Sequence, residues 1–346
     1  MASEQNVISK FAPQMKTYYE MGPRWCPFLM FTHPVNFKST PVNTDALGFR
    51  LNYFQGNQFS IAQGGFEHEQ ISVLVGGSTV FGDGATADSQ TISAHLGEKN
   101  KHRFLNLGGR AYNSTQELIL FNQVAYRYKN IKNIILLSGL NDLYLSRFPY
   151  YKDYFGGFFF SSIMDKAMRD YALSTYQKMM KAVLFPIFGD KIDYHRITRF
   201  NVFPRNKINE KNEDTQISAR LFDVDAAVAQ IKKNLHAWAN HAKAYSCNLK
   251  YILQPMPSWA QKKLSPEEQA LLTDEKYDFV QLSDVALYTE YSTKLKNICI
   301  ELGIEFYDSN RLLGEYAEAN HWLFIDRAHL TDAGNQSMAQ IIQRLL

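Results

Sequence analysis

Five short apolar runs alternate with helical patterns through much of the chain, and this alternation constrains the fold more than any other feature of the sequence. Turn-forming residues follow each run closely. Continuous apolar runs of this kind are typical of parallel strands that are covered on both faces. The predicted strands are residues 71–75, 104–107, 134–137, 250–253 and 304–307.

Helical patterns with candidate capping residues lie between these strands and after the last one. They predict helices over residues 89–99, 114–128, 224–245, 284–302 and 333–346, the first two capped by Asp88 and Asn113. Strands that alternate with helices imply right-handed crossovers, so the predicted class is α/β: a three-layer α/β/α sandwich around a five-stranded, mostly parallel sheet. Ligands of such sheets bind beyond the carboxyl ends of the strands.

Two segments do not take part in the alternation. Residues 1–70 are rich in Pro, Asn and aromatic residues, and we expect an N-terminal arm packed on the core. Residues 144–215 are a predicted insertion, which leaves the core to residues 71–143 and 216–346. Aromatic residues make up 14% of the chain, and 16 of them fall within residues 144–204, together with nine Lys or Arg and five Asp or Glu.

The aromatic insertion is open to three interpretations. A long detour at the carboxyl end of a strand can form a cap over a binding pocket. Aromatic residues mixed with Lys and Arg are also typical of segments that contact a membrane surface or a lipid-linked substrate. A small separate core is the third interpretation. Residues 144–204 are therefore where we expect any peripheral contact with a membrane.

Charge and cysteine content exclude several classes of protein. The net charge of +3 at pH 7 is too small to predict a nucleic-acid partner. Cys26, Cys247 and Cys299 are too widely spaced to predict a zinc site or a disulfide framework, and we expect neither a metal ion nor a cofactor. The first residues lack the apolar stretch of a secretory signal, and no apolar run is long enough to span a membrane. We therefore expect a cytoplasmic protein.

The first strand is followed by a turn that can carry chemistry. Residues 76–84 read Gly-Gly-Ser-Thr-Val-Phe-Gly-Asp-Gly. The two glycines allow a sharp turn that exposes Ser78 at the carboxyl end of the strand with its N–H free. The spacing matches neither a dinucleotide-binding fingerprint nor a P-loop. A Gly-Gly-Ser turn alone is common in proteins without catalytic function.

Polar groups follow two further strands. Residues 139–142 read Gly-Leu-Asn-Asp, a turn that can direct the Asn141 amide towards the same crevice. Near the end of the chain, Asp326 and His329 stand three residues apart. Within one turn a carboxylate and an imidazole at this spacing can meet, so Asp326 can fix the tautomer of His329 and leave the other ring nitrogen facing Ser78.

These blocks, in this order, resemble the SGNH (GDSL-like) hydrolases. The resemblance adds a second block that runs from Asn106-Leu107-Gly108 to Ala111-Tyr112-Asn113. It covers residues 71–143 and 249–346 and leaves the arm and the insertion unexplained. It implies the flavodoxin-like α/β fold of that family and acyl-transfer chemistry at a serine.

Transferred residue by residue, the resemblance implies that Ser78 is the nucleophile, His329 the general base and then acid, and Asp326 the residue that orients it. It also implies an oxyanion hole built from the Ser78 N–H, the Asn141 amide and a backbone N–H of the second block. The family glycine of that block is replaced by Ala111 here. A backbone N–H survives the change from glycine to alanine, so we assign the donor to Ala111. Because alanine resists positive φ, Gly109 is the alternative.

Two further side chains are candidate substrate contacts. Gln254 ends the fourth strand, where a turn before Pro255 is an equally simple explanation. Arg110 stands beside the second-block donor, and a solvated charge is the simpler explanation of it. The resulting hypothesis is a serine ester hydrolase that acts on O-acyl esters of sugars or lipids. An O-acyltransferase with the same triad is the first alternative. A non-catalytic binding module is the second, and the intact site residues argue against it.

Overall fold

A computed structural model describes residues 10–168, 222–272, 282–316 and 321–346, and the single positions 171, 179, 182, 183 and 186. The chain divides into two compact units. The first contains Met1–Arg147 and Leu221–Leu346, and the second contains Phe148–Arg220.

The N-terminal part of the first unit contains short elements. Helix α1 spans Met15–Glu20. Two antiparallel hairpins follow, one of β1 and β2 and the other of β3 and β4. Their strands are Arg24–Cys26, Met30–Thr32, Asn52–Phe54 and Asn57–Phe59. The guanidinium of Arg50, fully buried, donates to Asp88, Gly82 O and Pro41 O and so joins this region to the turns that follow the first core strand.

The strands of the central sheet are β5 (Gln70–Gly76), β6 (Arg103–Gly108), β7 (Asn130–Ser138), β8 (Asn248–Leu253) and β9 (Glu305–Asp308). All five are parallel, and their order in the sheet is β6-β5-β7-β8-β9. The chain runs from β5 to one neighbour and then back to the other, so the switch in direction lies between β5 and β7, as in flavodoxin-like sheets. The predicted fold class and all five predicted strands are confirmed.

The helices of the core are α2 (Ser78–Phe81), α3 (Ile92–Lys99), α4 (Ser114–Ala125), α5 (Leu140–Leu145), α6 (Val224–Tyr245), α7 (Pro266–Leu272), α8 (Val285–Glu301), α9 (Ser309–Tyr316) and α10 (Asp332–Leu345). Contacts divide the longer ones into two groups. Helix α3 contacts α10, whereas α6 contacts both α4 and α8. Right-handed crossovers that leave β5 and β6 in opposite directions place α3 and α4 on opposite faces of the sheet.

Two of the element boundaries that differ from the sequence predictions involve buried polar residues. Helix α3 is capped by Thr91, whose side chain accepts from Ala94 N, and not by Asp88. Asp88 is instead buried, and its Oδ1 accepts from Arg50 Nε at 2.8 Å. Strand β7 begins at Asn130, four residues before its predicted start. Its first residues include polar ones, which interrupt the apolar run on which the prediction depended. One of them, Asn133, is buried and donates to Ser72 Oγ.

Within the second unit, Phe148 and Tyr150 stack with ring centroids 5.1 Å apart, and Pro149–Lys152 forms a 3₁₀ turn. Tyr154 and Phe155 are largely exposed. Most of the predicted insertion, its residues 169–215 apart from the five single positions, lies outside the described residues, so its three interpretations and the predicted membrane contact stay predictions. Among the helices described, none combines the length and the apolar character needed to cross a membrane.

Candidate active site

Ser78 lies at the switch between β5 and β7, where the sheet has its natural binding crevice. Strand β5 ends at Gly76, Gly77 continues in extended conformation, and α2 begins at Ser78. Gly82 closes this one-turn helix in the left-handed conformation, with φ of 92°. The turn therefore holds the Ser78 hydroxyl at the carboxyl edge of the sheet, partly open to solvent.

Three of the predicted site residues form one chain of hydrogen bonds. His329 Nε2 is 2.8 Å from Ser78 Oγ, and His329 Nδ1 is 2.7 Å from Asp326 Oδ2. A carboxylate only accepts, so in the neutral ring Nδ1 carries the hydrogen and Nε2 offers its lone pair to the Ser78 hydroxyl. The other carboxylate oxygen of Asp326 accepts from the backbone N–H groups of Ala328 and His329, both at 2.8 Å. These bonds fix both the tautomer and the orientation of the ring.

The charges in this chain shift the pKa values of both titratable groups. Burial lowers the pKa of His329, but the charge and hydrogen bond of Asp326 and the charge of Asp83 outweigh burial and raise it to about 8. Burial raises the pKa of Asp326, yet the charge and hydrogen bond of His329 and the two backbone donors lower it to about 2. Asp326 is therefore ionised at neutral pH, and His329 titrates close to neutrality.

A second carboxylate, Asp83, stands beside the imidazole. It is 4% exposed, and its Oδ2 lies 3.8 Å from His329 Nε2. The same oxygen accepts from Arg110 Nε at 2.8 Å, and Arg110 also donates to Met21 O. The guanidinium of Arg110 is thus bound within the protein, which corrects the interpretation of it as a solvated charge. The pair places one negative and one positive group at the edge of the site.

The Asn141 amide lies close to the turn that carries Ser78. One of its N–H groups donates to Tyr112 O at 2.7 Å. The second makes no hydrogen bond within the part of the chain that the structure describes. A Cβ added to Gly77 would lie 2.9 Å from Asn141 Nδ2, so only glycine at position 77 lets the amide approach this closely.

The 108–112 loop (residues 108–112) adopts a strained conformation. Ala111 has φ of 59°, although we expected alanine to resist this region, which costs a non-glycine residue about 1 to 3 kcal/mol. Hydrogen bonds from the two residues before Ala111 help to hold the loop in this conformation. Gly109 N–H donates to the carbonyl of Gly76 at 3.0 Å, and Arg110 N–H donates to His33 Nε2 at 3.1 Å.

The same hydrogen bonds distinguish the two candidate donors of this loop. Because Gly109 N–H is already bound to the end of β5, it has no hydrogen left for a ligand. The Ala111 N–H makes no hydrogen bond to any residue that the structure describes. Ala111 is therefore the better candidate of the two predicted positions.

Gln254 reaches the same crevice from the end of β8. Its side chain is almost fully buried, and Oε1 lies 3.9 Å from where a Cβ on Gly77 would stand. Its backbone N–H donates to Ser138 O, which holds the residue against the neighbouring strand β7. The side chain makes no hydrogen bond to the described residues, so it can bind a polar ligand group.

No three His, Cys, Asp or Glu side chains in the described ranges lie close enough together to hold a metal ion.

The site residues that the sequence did not predict are Asp83 and His33. Asp83 stands only five residues after Ser78, which was a local signal, whereas the position of His33 depends on how the N-terminal segment packs.

Comparison with known proteins gives similarity at the level of the backbone. No family model matches the sequence, and no curated protein matches it. A lipase from Streptomyces rimosus is 11% identical, covers 80% of this chain and 100% of its own, and gives a TM-score of 0.43. A lipase/acylhydrolase from Enterococcus faecalis is 12% identical over 80% and 94%, with a TM-score of 0.41. An aryl esterase from M. smegmatis is 11% identical over 80% and 100%, with a TM-score of 0.37. These values are low, so the functional assignment depends on the geometry of the site.

Proposed function

We propose that the chain is a serine ester hydrolase of the SGNH type, which forms an acyl-enzyme at Ser78 and acts on O-acyl esters of sugars or lipids. The observation that carries the proposal is the unbroken hydrogen-bonded chain from Asp326 through His329 to the Ser78 hydroxyl. A serine hydroxyl is a weak nucleophile until a neighbouring base takes its proton.

The first half-reaction transfers the acyl group to the enzyme. Ser78 Oγ attacks the ester carbonyl while its proton passes to His329 Nε2, and the carbonyl oxygen takes the electron pair of the π bond. When this tetrahedral intermediate collapses, the bond to the alcohol oxygen breaks and His329 returns the proton to the leaving alcohol. In the second half-reaction, water repeats these steps against the acyl-enzyme and frees Ser78.

Three donors are proposed to stabilise the oxyanion: the backbone N–H groups of Ser78 and Ala111 and the second N–H of the Asn141 amide. Support comes from the absence of a protein partner for the last two among the described residues and from the approach of the amide to Gly77. Fixed donors stabilise the developing charge without having to reorganise. The free amide of Gln254 is proposed to bind a hydroxyl group of the alcohol part of the substrate.

The substrate class is tested with a panel of esters. p-Nitrophenyl esters of increasing acyl length, O-acetylated sugars and monoacyl lipids are compared with and without a sugar acceptor. Release of free acid at rates that depend on Ser78 supports the proposal. Transfer of the acyl group to the added sugar in preference to water would instead indicate the acyltransferase alternative.

Activity is expected to rise with pH through the pKa of His329. Only the neutral imidazole accepts the Ser78 proton, and the pKa of His329 is raised to about 8. The value of kcat/KM should therefore increase by about a hundredfold from pH 6 to pH 9, because the neutral fraction rises by that factor. The measurement is a pH profile at constant ionic strength. A profile that is flat between pH 6 and pH 9 would contradict the assignment of His329 as the base.

Removal of one oxyanion donor should lower kcat with little change in KM. Asn141→Ala deletes a donor that acts mainly on the tetrahedral intermediate, and such losses are about 10²- to 10³-fold. Steady-state kinetics on a p-nitrophenyl ester give the two constants separately. The control is Asn57→Ala, which removes an exposed amide that donates to Gln55 O in hairpin β3–β4. A wild-type kcat in folded Asn141→Ala protein would exclude the amide from the reaction.

A further inference from the structure

We propose that His33 is a positioning residue for the reaction: from the N-terminal segment, it holds the 108–112 loop in the conformation that presents the Ala111 N–H to the oxyanion. The inference rests on the proposed function, since it concerns one donor of the proposed oxyanion hole. His33 contacts no reacting atom and acts through the backbone of Arg110.

Two hydrogen bonds determine the protonation of the His33 ring. Nδ1 lies 3.0 Å from the carbonyl oxygen of Gly48, which can only accept, so Nδ1 carries a hydrogen. Nε2 receives the backbone N–H of Arg110 at 3.1 Å, which can only donate, so Nε2 carries a lone pair. The ring is therefore a neutral imidazole with one fixed tautomer. Burial and the positive charge of Arg110 lower the pKa of His33 to about 4, which keeps the ring neutral across the working range of pH.

Packing holds the ring in place between two parts of the site. Its centroid lies 4.0 Å from that of Phe81, the last residue of the helix that begins at Ser78. On the other side lies Gly48, whose carbonyl oxygen is the acceptor for Nδ1. Gly48 has φ of 94°, and a Cβ at this position would lie 2.7 Å from His33 O. The backbone of Gly48 therefore packs tightly on the backbone of His33. His33 is itself 6% exposed. The ring cannot turn without breaking both hydrogen bonds.

The position of this contact within the loop explains why it matters. Arg110 immediately precedes Ala111, whose left-handed conformation must be imposed by its surroundings. Gly109 N–H is fixed to Gly76 O on one side, and Tyr112 O is fixed to the Asn141 amide on the other. A turn hydrogen bond from Tyr112 N–H to Gly109 O also spans Ala111. The contact with His33 adds a restraint on the backbone of Arg110, directly before Ala111. Without it, Ala111 can relax to negative φ, which rotates the peptide group that bears its N–H.

The test compares two amide substitutions that keep different hydrogen bonds. The Oε1 atom of glutamine in His33→Gln can occupy the position of Nε2 and accept from Arg110 N–H. The shorter side chain in His33→Asn reaches only the position of Nδ1 and retains only the bond to Gly48. We expect His33→Asn to lower kcat about 10- to 100-fold with KM unchanged, and to weaken binding of a boronic acid transition-state analogue by a similar factor. His33→Gln should restore kcat to within about threefold of the wild type.

Two further variants separate positioning from stability. Tyr18→Phe removes buried hydrogen bonds from the same N-terminal segment to Ala85 O and Pro41 O, and we expect it to lower Tm without changing kcat. Ala111→Gly removes the strain that His33 has to impose, because glycine accepts positive φ freely. In the Ala111→Gly background, His33→Asn should therefore lower kcat several-fold less than it does in the wild type.

The tautomer is also measured in the wild-type protein, which does not depend on the folding of any variant. Nitrogen-15 shifts of His33 at pH 7 should show a protonated Nδ1 and an unprotonated, hydrogen-bonded Nε2. An Nε2–H tautomer, or a wild-type kcat in folded His33→Asn protein, overturns the proposal. Failure of the proposed function gives a different result, since hydrolysis would then be absent or unaffected by Ser78→Ala in protein that carries the native His33.

Discussion

Ser78→Ala is expected to lower kcat for ester hydrolysis by about 10⁴- to 10⁶-fold, because loss of the nucleophile removes the covalent route altogether. The substitution deletes one oxygen atom, which among the residues that the structure describes bonds to His329 Nε2 alone, so the fold should be retained. Activity should be measured on a p-nitrophenyl ester, and Tm should be recorded on the same samples. Substrate binding should be nearly unchanged.

The matched control for this substitution is Ser337→Ala. Its hydroxyl donates to Ala333 O within helix α10 and lies on an element that carries no site residue. Kinetic constants of the control should equal those of the wild type. If Ser78→Ala retained more than about a tenth of the wild-type kcat in folded protein, a reaction through a seryl intermediate would be excluded.

Asp326→Asn is expected to lower kcat by about 10⁴-fold near neutral pH. The two backbone donors at Ala328 and His329 hold one oxygen of the carboxylate and would hold the amide oxygen in the same way. The amide nitrogen then faces His329 Nδ1, which must become the acceptor. Nε2 consequently carries the hydrogen and can no longer take the proton of Ser78. The wrong tautomer, and not a change of geometry, is the cause of the loss.

Asp83→Asn is the comparison that makes this prediction specific. Asp83 also raises the pKa of His329, but its Oδ2 is 3.8 Å from Nε2 and makes its short contact with Arg110. We expect Asp83→Asn to move the pH profile of kcat/KM to lower pH and to keep most of the maximal activity. Equal losses for Asp83→Asn and Asp326→Asn would contradict the proposed role of Asp326.

The local parts of the site could be predicted from the sequence. The carboxylate and imidazole of Asp326 and His329 belong to one turn, so their spacing alone indicates that they can meet. Ser78 and Asn141 follow buried apolar strands, and parallel strands bring their carboxyl ends to one edge of the sheet. Periodicity and turn chemistry were sufficient for these inferences.

Features that depend on packing between distant segments could not be predicted. His33 lies 77 residues from Arg110 in the sequence, and no local pattern connects them. Asp88 looked like a helix cap because its partner Arg50 belongs to a different segment. The positive φ of Ala111 contradicts the local preference of alanine and exists only because the surrounding backbone hydrogen bonds enforce it. Conflicts of this kind between local preference and structure are common at functional sites.

The measurement that tests the central claim most directly is reaction with a fluorophosphonate probe followed by peptide mass spectrometry. An activated serine attacks phosphorus and displaces fluoride, and the basicity of His329 drives this step. We predict one probe per chain, attached at Ser78, with labelling that disappears in Ser78→Ala and slows strongly in Asp326→Asn. Folded wild-type protein that stays unlabelled, or that carries the probe on another residue, would contradict a seryl hydrolase and would favour the non-catalytic binding module.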